Sequence, residues 1–522
     1  MLESGAKMGH VCNPQLKGDV QPLMLKPLPA ARWNFTTAAH LLNRAGFGGS
    51  PAEIEQLVEM GPEKAVEHFI EFEKFEDTIE KPEWAHPDPE RLQKLRTLRQ
   101  GSPEDRRKAQ MEFQQEQRRH LIELRHWWLR RMALGRRPLE EKLTLFWHGH
   151  FATSAQKVKD TYLMFLQNET FRRHAAGGWL DMLEKVSKDP AMLQWLDQAQ
   201  SRKQHPNENY AREVMELFAL GEGHYTETDI LEAARALTGW TINRFQQTFM
   251  DDPALHDDRT KTIFGQTGNF NGMDVLRLIA EQKQSALFIT GKLWRFFAND
   301  APMEPVIDAL ATEFQNHGRE FKPMLRTLFR SEEFYAPDVI RNQVKSPVQW
   351  LVGSVRQLER ELPPPPACTF LLSGLGQDLF MPPNVKGWDG GVAWITTNNL
   401  LNRYNESALL VEGQNLSGPM GPGRPGGAGG GGPARPMAGR FLGGAMMRGN
   451  TRIDVAKIVP AAERKNPETI IAALEKRFLQ ATLKPAQQKT LGDFLRAQTE
   501  VTDREILHVT RLIMSTPEFQ LT

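Results

Sequence analysis

Recurrent helix-start signals constrain the fold of this chain more than any other feature. Ser50-Pro51-Ala52-Glu53 combines an N-cap serine, a proline at the first helical position and a glutamate that can close a capping box. Ser102-Pro103-Glu104-Asp105 repeats this arrangement with an aspartate in place of the glutamate, and Thr226-Glu227-Thr228-Asp229 offers a threonine cap without the proline. Apolar residues at helical spacing follow the signals at Ser50 and Thr226, and Gly61-Pro62 ends the first of these segments. The punctuation therefore predicts a chain built mainly from α-helices.

The longest predicted helix runs from Ser102 towards Gly135 without a helix breaker. At the α-helical rise such a segment would be roughly 45 Å long. Its first half is highly charged, whereas its second half gains apolar residues that include Trp127 and Trp128. We expect an exposed arm that enters the core only near its end.

Residues 413–450 differ in composition from the rest of the chain. Glycines and prolines dominate, no acidic residue occurs, and too few apolar residues are present to form a core. Arg424, Arg435, Arg440 and Arg448 make the segment basic. We interpret it as a flexible, solvated insertion, with weak contact to RNA or another polyanion as the alternative.

These patterns predict a mainly α fold class, a multi-helix globular body with few or no strands that the Gly/Pro/Arg-rich insertion interrupts. Lys261 to Phe264 is a short strand candidate. We divide the chain into four parts: a poorly structured N-terminal segment (1–34), a helical main domain (35–412), the flexible insertion (413–450) and C-terminal helices that pack on the main domain (451–522).

Charge and composition exclude several classes of protein. The chain has 65 Lys and Arg against 64 Asp and Glu, so no global field favours nucleic acid or an acidic membrane. Only Cys12 and Cys368 are present, which excludes a disulfide scaffold. No apolar run is long enough for a signal peptide or a membrane span. These features predict a cytoplasmic protein without a membrane span.

Five stretches together resemble a bacterial family catalogued as a domain of unknown function, DUF1800. They are residues 40–48 (HLLNRAGFG), 141–151 (EKLTLFWHGHF), 207–213 (NENYARE), 237–240 (LTGW) and 382–389 (PPNVKGWD). Members are similar to exported or envelope-associated proteins and are often encoded beside a sulfatase-like family. The resemblance therefore implies a sulfatase-like partner and a periplasmic or envelope location, an alternative to the cytoplasm.

His148-Gly149-His150 is a candidate metal-binding pair. Neutral imidazoles bind zinc, iron or copper, and two of them with a carboxylate would leave an open catalytic position. On a helix, side chains two positions apart point in directions that differ by about 200°. Both histidines could bind one metal ion only if the helix ended here. The alternative is that each histidine forms a hydrogen bond inside a helical core.

The predicted helix from about Asn207 to Leu220 carries the candidate acidic ligands. Glu213 and Glu216 share one stripe, as acidic metal ligands do in helix bundles. In the alternative interpretation this stripe faces water, and Arg212 and Glu216 form an i,i+4 ion pair.

Two loops add further candidates. His256 could act as a ligand or proton donor, with Asp257 as its orienting partner, and the alternative, which adjacent His and Asp residues favour because they are common by chance, is an ordinary surface loop. The loop 382–394 could stack a sugar or another flat ligand on its tryptophans, or it could be a rigid plug that closes the core. Its candidate ligand-binding residues are Asn384, Lys386, Trp388 and Asp389.

No dinucleotide-binding, phosphate-binding-loop, HExxH or nucleophile-elbow motif is found, which lowers the expectation of nucleotide-dependent or ordinary serine-hydrolase chemistry. We expect the segments around His148, Glu213 and His256 to converge in one polar cleft, a candidate site for a divalent metal. Such a site could serve metal-assisted hydrolysis or oxidation, with Glu213, His256 and Asp257 as candidate catalytic residues. The alternative is a non-enzymatic interaction or scaffold protein that works with the sulfatase-like partner, which the exposed arm and the insertion favour.

Overall fold

The computed structural model describes residues 25–243, 245–301, 303–412 and 453–522. Over these residues the chain is mainly helical, as the sequence predicts. In chain order, the helices of the first half are α1 (Phe35–Ala45), α2 (Pro51–Ile70), α3 (Arg91–Gln100), α4 (Pro103–Leu134), α5 (Pro138–His150), α6 (Ala155–Val158), α7 (Thr161–Arg173), α8 (Trp179–Ser187), α9 (Pro190–Trp195), α10 (Glu208–Glu213) and α11 (Glu227–Ala236). Those of the second half are α12 (Gly272–Glu281), α13 (Lys283–Phe297), α14 (Glu304–Asn316), α15 (Phe321–Arg330), α16 (Pro347–Gln357), α17 (Pro365–Gly374), α18 (Thr397–Glu412), α19 (Val455–Ile458), α20 (Pro467–Leu474), α21 (Pro485–Arg496) and α22 (Asp503–Met514).

The remaining regular structure is short. Two antiparallel strand pairs are formed, β1 (Trp240–Asn243) with β2 (Thr248–Asp251) and β3 (Lys261–Ile263) with β4 (Gln266–Gly268). The short strand predicted from Lys261 is therefore present. Two π-helical segments, Val214–Ala219 and Glu475–Leu479, continue α10 and α20. The 3₁₀ turns are Ala30–Arg32, Phe72–Lys74, Gln198–Gln200, Gly391–Trp394, Ala461–Glu463 and Pro517–Gln520.

The predicted helix caps are present. Ser50 Oγ accepts from the amide of Glu53 at 3.3 Å, and the Glu53 carboxylate accepts from the amide of Ser50 at 2.8 Å. Thr226 and Asp229 form the same reciprocal box at the start of α11. The stop predicted at Gly61 appears as a kink within α2, because Gly61 adopts a φ of 76° and the chain then re-enters a helix.

Helix α4 is the predicted long arm, and it spans 32 residues. Residues 103–120 are mostly exposed, whereas Leu124, Trp128 and Leu129 are fully buried. The charged first half therefore stays in water, and the apolar second half anchors the helix in the core.

Two hydrophobic clusters form the core. The first is built mainly by α1, α2, α5 and α8–α15 and contains Trp179. The second is built mainly by α4, α7 and α16–α22 and contains Trp350. Helix α5 contributes to both, because Phe146 lies in the first cluster and Leu145 in the second. The boundary between the clusters therefore runs along α5.

A buried ionic network joins α4, α5 and α7. Glu141 accepts from Arg131 Nε at 2.6 Å, from Arg172 Nε at 2.8 Å and from Trp128 Nε1 at 2.9 Å. Burial alone would raise the pKa of Glu141, but Arg172 and Arg131 outweigh that effect and hold the pKa below its ordinary value. The carboxylate is therefore kept charged inside the protein.

The C-terminal helices pack on the body. Ile513 and Phe519 are buried in the second cluster. The backbone amide of Lys345 donates to Gln520 O at 2.8 Å, and that of Thr522 donates to Gln343 O at 2.8 Å. These bonds fix the segment before α16 against the last described residues.

Residues 1–24 and 413–452 lie outside the described residues, and with them most of the predicted N-terminal segment and the predicted insertion at 413–450. Residues 25–34 contact the end of α15, where the amide of Leu28 donates to Arg330 O at 2.7 Å. Within the described ranges, no helix has the length and apolar character needed to span a membrane.

Candidate ligand-binding site

A cavity of about 360 Å³ lies where the two hydrophobic clusters meet. Its size is at the lower end of the range typical of small-molecule sites. One wall comes from the end of α5 and from α13, and the other from the segment before α16 and the loop 386–394. The residues that line it are Leu145, Phe146, Gly149, His150, Lys292, Arg295, Phe296, Asp300, Gln343, Val344, Ser346, Gln349, Gln377, Lys386, Trp388, Asp389, Gly390, Gly391 and Trp394.

The predicted ligand loop forms part of this cavity. Lys386, Trp388 and Asp389 are lining residues, whereas Asn384 is exposed and shapes the turn by accepting from the amide of Lys386 at 2.8 Å. Gly387 has a φ of 83°, and a Cβ at this position would lie 2.4 Å from the carbonyl oxygen of Gly149. The loop is therefore seated directly on the end of α5.

Two tryptophans of this loop face the cavity from different depths. Trp388 is half-buried, and its ring centroid lies 5.7 Å from that of His148. Trp394 is only 8% exposed. Both line the cavity. The loop thus closes against the core, as the plug interpretation expects, and also presents aromatic surface to an open space, as the ligand interpretation expects.

The two histidines of α5 point in different directions, because the helix continues through His150. His148 Nε2 accepts from the amide of Phe380 at 3.0 Å. His150 Nε2 lies 2.9 Å from Phe218 O, and its Nδ1 lies 3.4 Å from Lys292 Nζ. Burial lowers the pKa of His148 to about 3 and that of His150 well below its ordinary value. Both rings are therefore neutral, and only His150 lines the cavity.

Lys292 extends from α13 into the same corner. Its Nζ donates to Leu217 O at 3.0 Å and lies 4.7 Å from the centre of the Phe288 ring. Burial, reinforced by Arg295, lowers the pKa of Lys292 to about 8. The amine is therefore mainly charged at neutral pH but gives up its proton more readily than an exposed lysine.

The predicted acidic ligands lie beside the cavity rather than in its wall. Burial, reinforced by Glu216, raises the pKa of Glu213, while Lys386 acts in the opposite direction. Glu216 accepts from Tyr225 Oη at 2.9 Å. In the alternative interpretation Arg212 would pair with Glu216, whereas in the structure Arg212 donates two hydrogen bonds to Glu227, at 2.9 and 2.7 Å. A π-helical segment begins at residue 214, and Glu213 and Glu216 both stay half-buried.

His256 and Asp257 serve a different part of the fold. His256 Nδ1 lies 2.9 Å from Thr238 O, and Asp257 forms ion pairs with Arg235 at 2.9 Å and Arg259 at 2.6 Å. The hydrogen bond from Arg259, together with Arg235, holds the pKa of Asp257 well below its ordinary range. Neither residue lines the cavity. Their contacts stabilise the loop before β3.

Of the three segments expected to form one cleft, those around His148, Glu213 and His256, only the first lines the cavity, through His150. The separately predicted ligand loop shares this cavity, and its Lys386 acts on the pKa of Glu213. In the part of the chain that the structure describes, no three side chains of the His, Cys, Asp and Glu types are grouped so that they could hold a metal ion. Metal binding by His148, His150, Glu213 and Glu216 therefore stays a prediction that the arrangement of these side chains does not support.

Several cavity residues were not identified from the sequence. Lys292 and Arg295 lie three residues apart on α13, which reads in the sequence as an ordinary amphipathic helix. Gln343 is held by Arg44 Nη1, which donates to its side-chain oxygen, while its own amide group donates to Arg295 O. Arg44 belongs to the stretch 40–48, which resembles the family. That resemblance indicated the family but did not indicate that Arg44 lies near a ligand site.

The fold and the site define a mainly α protein with a charged cavity, partly walled by tryptophan, between two hydrophobic clusters. The chain belongs to the DUF1800 family, described as "Protein of unknown function (DUF1800)", whose model matches residues 40–521. No curated protein and no solved structure matches the chain. The family membership indicated by the five sequence stretches is thus confirmed.

Proposed function

We propose that the cavity binds a small acidic sugar, or a closely similar molecule that combines a ring with a negative charge. The observation that carries the proposal is the composition of the wall. Three cationic side chains, Lys292, Arg295 and Lys386, surround an opening that also presents Trp388 and Trp394. This combination matches a ligand with both an anionic group and a ring.

The charge of the wall favours an anion. Asp300 and Asp389 are the two carboxylates that line the cavity, so the three cations exceed them by one. Lys292 remains mainly protonated at neutral pH because its pKa is about 8. A partly enclosed site strengthens such interactions relative to bulk water.

The remaining wall suits a sugar ring. Tryptophan faces supply apolar contact for the ring, and their polar edges tolerate the surrounding water. Side-chain amides both donate and accept hydrogen bonds, as hydroxyl groups require. Gln349 and Gln377 line the cavity and use their side-chain oxygens to accept from the backbone amides of Ser346 and Val348, so they can offer side-chain N–H groups to a hydroxyl.

Isothermal titration calorimetry with glucuronate, glucose 6-phosphate and glucose tests this function. We expect measurable binding of an acidic sugar and at least about tenfold weaker binding of neutral glucose, because glucose cannot use the cationic wall. Equal affinity for acidic and neutral sugars, or no binding of any of them, would contradict the proposal.

A variant pair locates the binding. Trp388→Ala removes a cavity wall, and we expect it to weaken binding of the acidic sugar about tenfold. Trp84→Ala is the matched control, because Trp84 is also half-buried and stacks on a histidine, His120, but does not line the cavity. Equal losses in both variants would indicate a general effect on the fold.

A second candidate is the non-enzymatic interaction with a sulfatase-like partner. Residues 103–120 of α4 are mostly exposed and carry many charges, which suits contact with another protein. A pull-down with the full chain should recover a stoichiometric sulfatase-like protein, and replacing the exposed charges of α4 should reduce that recovery. Metal-assisted hydrolysis or oxidation, and polyanion binding through 413–450, stay predictions from the sequence.

A further inference from the structure

A π-helical segment next to the cavity presents two successive carbonyl groups to two cavity side chains. Leu217 O accepts from Lys292 Nζ at 3.0 Å, and Phe218 O lies 2.9 Å from His150 Nε2. Both carbonyls belong to the segment Val214–Ala219. Single π-helical turns are frequent at functional sites, because the changed register frees backbone groups for other partners.

These contacts fix the protonation of His150. A carbonyl oxygen can only accept, so His150 Nε2 carries the hydrogen and Nδ1 keeps its lone pair. That lone pair lies 3.4 Å from Lys292 Nζ. Lys292 thus has a neutral proton acceptor beside its amine.

The surroundings of Lys292 differ from those of a lysine that only forms a salt bridge. Among the described residues, burial and Arg295 lower the pKa of Lys292 and no carboxylate raises it. The charged groups that share its cavity are Arg295, Lys386, Asp300 and Asp389. The amine lies over the face of Phe288 and still reaches the cavity wall. Partial desolvation beside another cation is the environment in which lysines act as nucleophiles.

We infer that Lys292 is a reactive amine that forms an imine with the aldehyde or keto group of a small anionic molecule held in the cavity. This inference rests on the proposed function, since the same cationic and aromatic wall positions the ligand. The class of ligand is an anionic carbonyl compound, such as an acidic sugar in its open-chain form or a keto acid.

The reaction balances without a co-reactant. The unprotonated Lys292 Nζ attacks the carbonyl carbon, a C–N bond forms and the π bond of the carbonyl group breaks. Nδ1 of His150 passes one proton from the nitrogen to the resulting alkoxide, which gives a carbinolamine, and then passes the second proton of the nitrogen to the hydroxyl as it departs. Water leaves as the C–O bond breaks, and a C=N bond remains. The lowered pKa of Lys292 supports this step, because it increases the fraction of free amine at neutral pH.

Borohydride trapping with pyridoxal 5′-phosphate tests the inference, because this probe is a planar, anionic aldehyde. The full-length protein is incubated with a stoichiometric amount of probe, reduced and analysed by peptide mass spectrometry. We expect one adduct per chain, on the peptide that contains Lys292. Pyridoxine 5′-phosphate, which carries an alcohol in place of the aldehyde, measures non-covalent binding to the same cavity by calorimetry.

Three variants support the assignment. Lys292→Arg keeps the charge and Lys292→Met keeps the length of the side chain. In both variants we expect the amount of adduct on the peptide that contains position 292 to fall at least about tenfold. Binding of pyridoxine 5′-phosphate by each Lys292 variant is measured in parallel, so that loss of the adduct is compared with any loss of non-covalent binding. Lys283→Arg, at the exposed start of the same helix, should leave the adduct at Lys292 unchanged.

Each outcome separates this inference from the proposed function. Adducts spread over surface lysines, together with normal binding of pyridoxine 5′-phosphate, would overturn the reactive-amine inference and leave the binding function intact. A specific adduct at Lys292 without binding of acidic sugars would support the inference and reject the sugar as ligand. The adduct map of the unmodified protein decides the question even if the Lys292 variants do not fold.

Discussion

Gly387 packs against the carbonyl oxygen of Gly149, and the contact joins the ligand loop to the end of α5. A Cβ at position 387 would lie 2.4 Å from that oxygen, and the φ of 83° already disfavours any other residue. The contact brings Lys386 and Trp388 to the cavity that His150 also lines. The geometry of the site therefore depends on two glycines that are more than two hundred residues apart.

Gly387→Ala should displace the ligand loop. We expect a loss of about 2 kcal/mol in unfolding free energy and at least about tenfold weaker binding of acidic sugar, from backbone strain and the clash together. Urea denaturation and calorimetry measure the two effects. Gly265→Ala is the control, because Gly265 also has a positive φ but its Cβ would meet no atom within 4 Å. If both variants bound ligand normally, the contact would have no role in forming the cavity.

Lys386→Gln should weaken the binding of acidic sugar modestly. Because Lys386 is exposed, we expect about a threefold loss at low salt and a smaller one at high salt. Titrations at two salt concentrations measure this dependence. Lys484→Gln, whose side chain is 80% exposed on the C-terminal part, should have no effect. A loss that does not depend on salt would argue against a charge contribution from Lys386.

Glu141→Gln should destabilise the fold without acting on the cavity directly. The substitution leaves Arg131 and Arg172 buried without their shared carboxylate. Removing one member of a buried ionic network typically costs about 3 kcal/mol, and we expect a loss of that order in urea denaturation. Glu463→Gln, at an exposed position, is the control. A near-neutral effect of Glu141→Gln would show that the two arginines are solvated by other groups.

Asp189 should make stability fall as the pH rises. Burial raises the pKa of Asp189 from 3.8 to about 7, so the folded state holds this proton more tightly than the unfolded state. The contribution of protonated Asp189 to the free energy of unfolding is complete below about pH 4. It is lost as the pH rises through about 7, and the loss amounts to at most about 4 kcal/mol. We expect Asp189→Asn to remove this part of the slope in denaturation series between pH 4 and 8.

Asp454→Asn is the matched control for this series, because Asp454 also caps a helix but is exposed. Its pH profile should follow that of the unmodified protein. If Asp189→Asn also left the profile unchanged, Asp189 would be ionised in the folded protein at neutral pH.

Local sequence signals predicted the elements of this fold well. Capping residues such as Ser50 and Thr226 form hydrogen bonds with residues only a few positions away. The local sequence is therefore sufficient to predict where these helices begin. The burial of α4 was also predictable, because its buried half begins where its apolar residues begin. The loop 382–394, part of which lines the cavity, could be singled out because tryptophans and glycines among polar residues are unusual over so short a stretch.

The partners across the cavity could not be found in this way. Lys292 meets His150 only because α13 and α5 pack together, and no spacing rule links residues so far apart in sequence. The π-helical segment after Glu213 has no local sequence signal, although Glu213 and Glu216 still lie close enough for Glu216 to raise the pKa of Glu213. His256 was grouped with the site by residue type alone, whereas packing places it against Thr238.

Hydrogen–deuterium exchange with and without glucuronate tests the central claim most directly, because it reports where a ligand acts. We predict slower exchange in peptides that cover residues 386–394 and 292–301, with no change in the exposed half of α4. Protection confined to other regions, or none at a glucuronate concentration at which calorimetry detects binding, would contradict a ligand site between the two hydrophobic clusters.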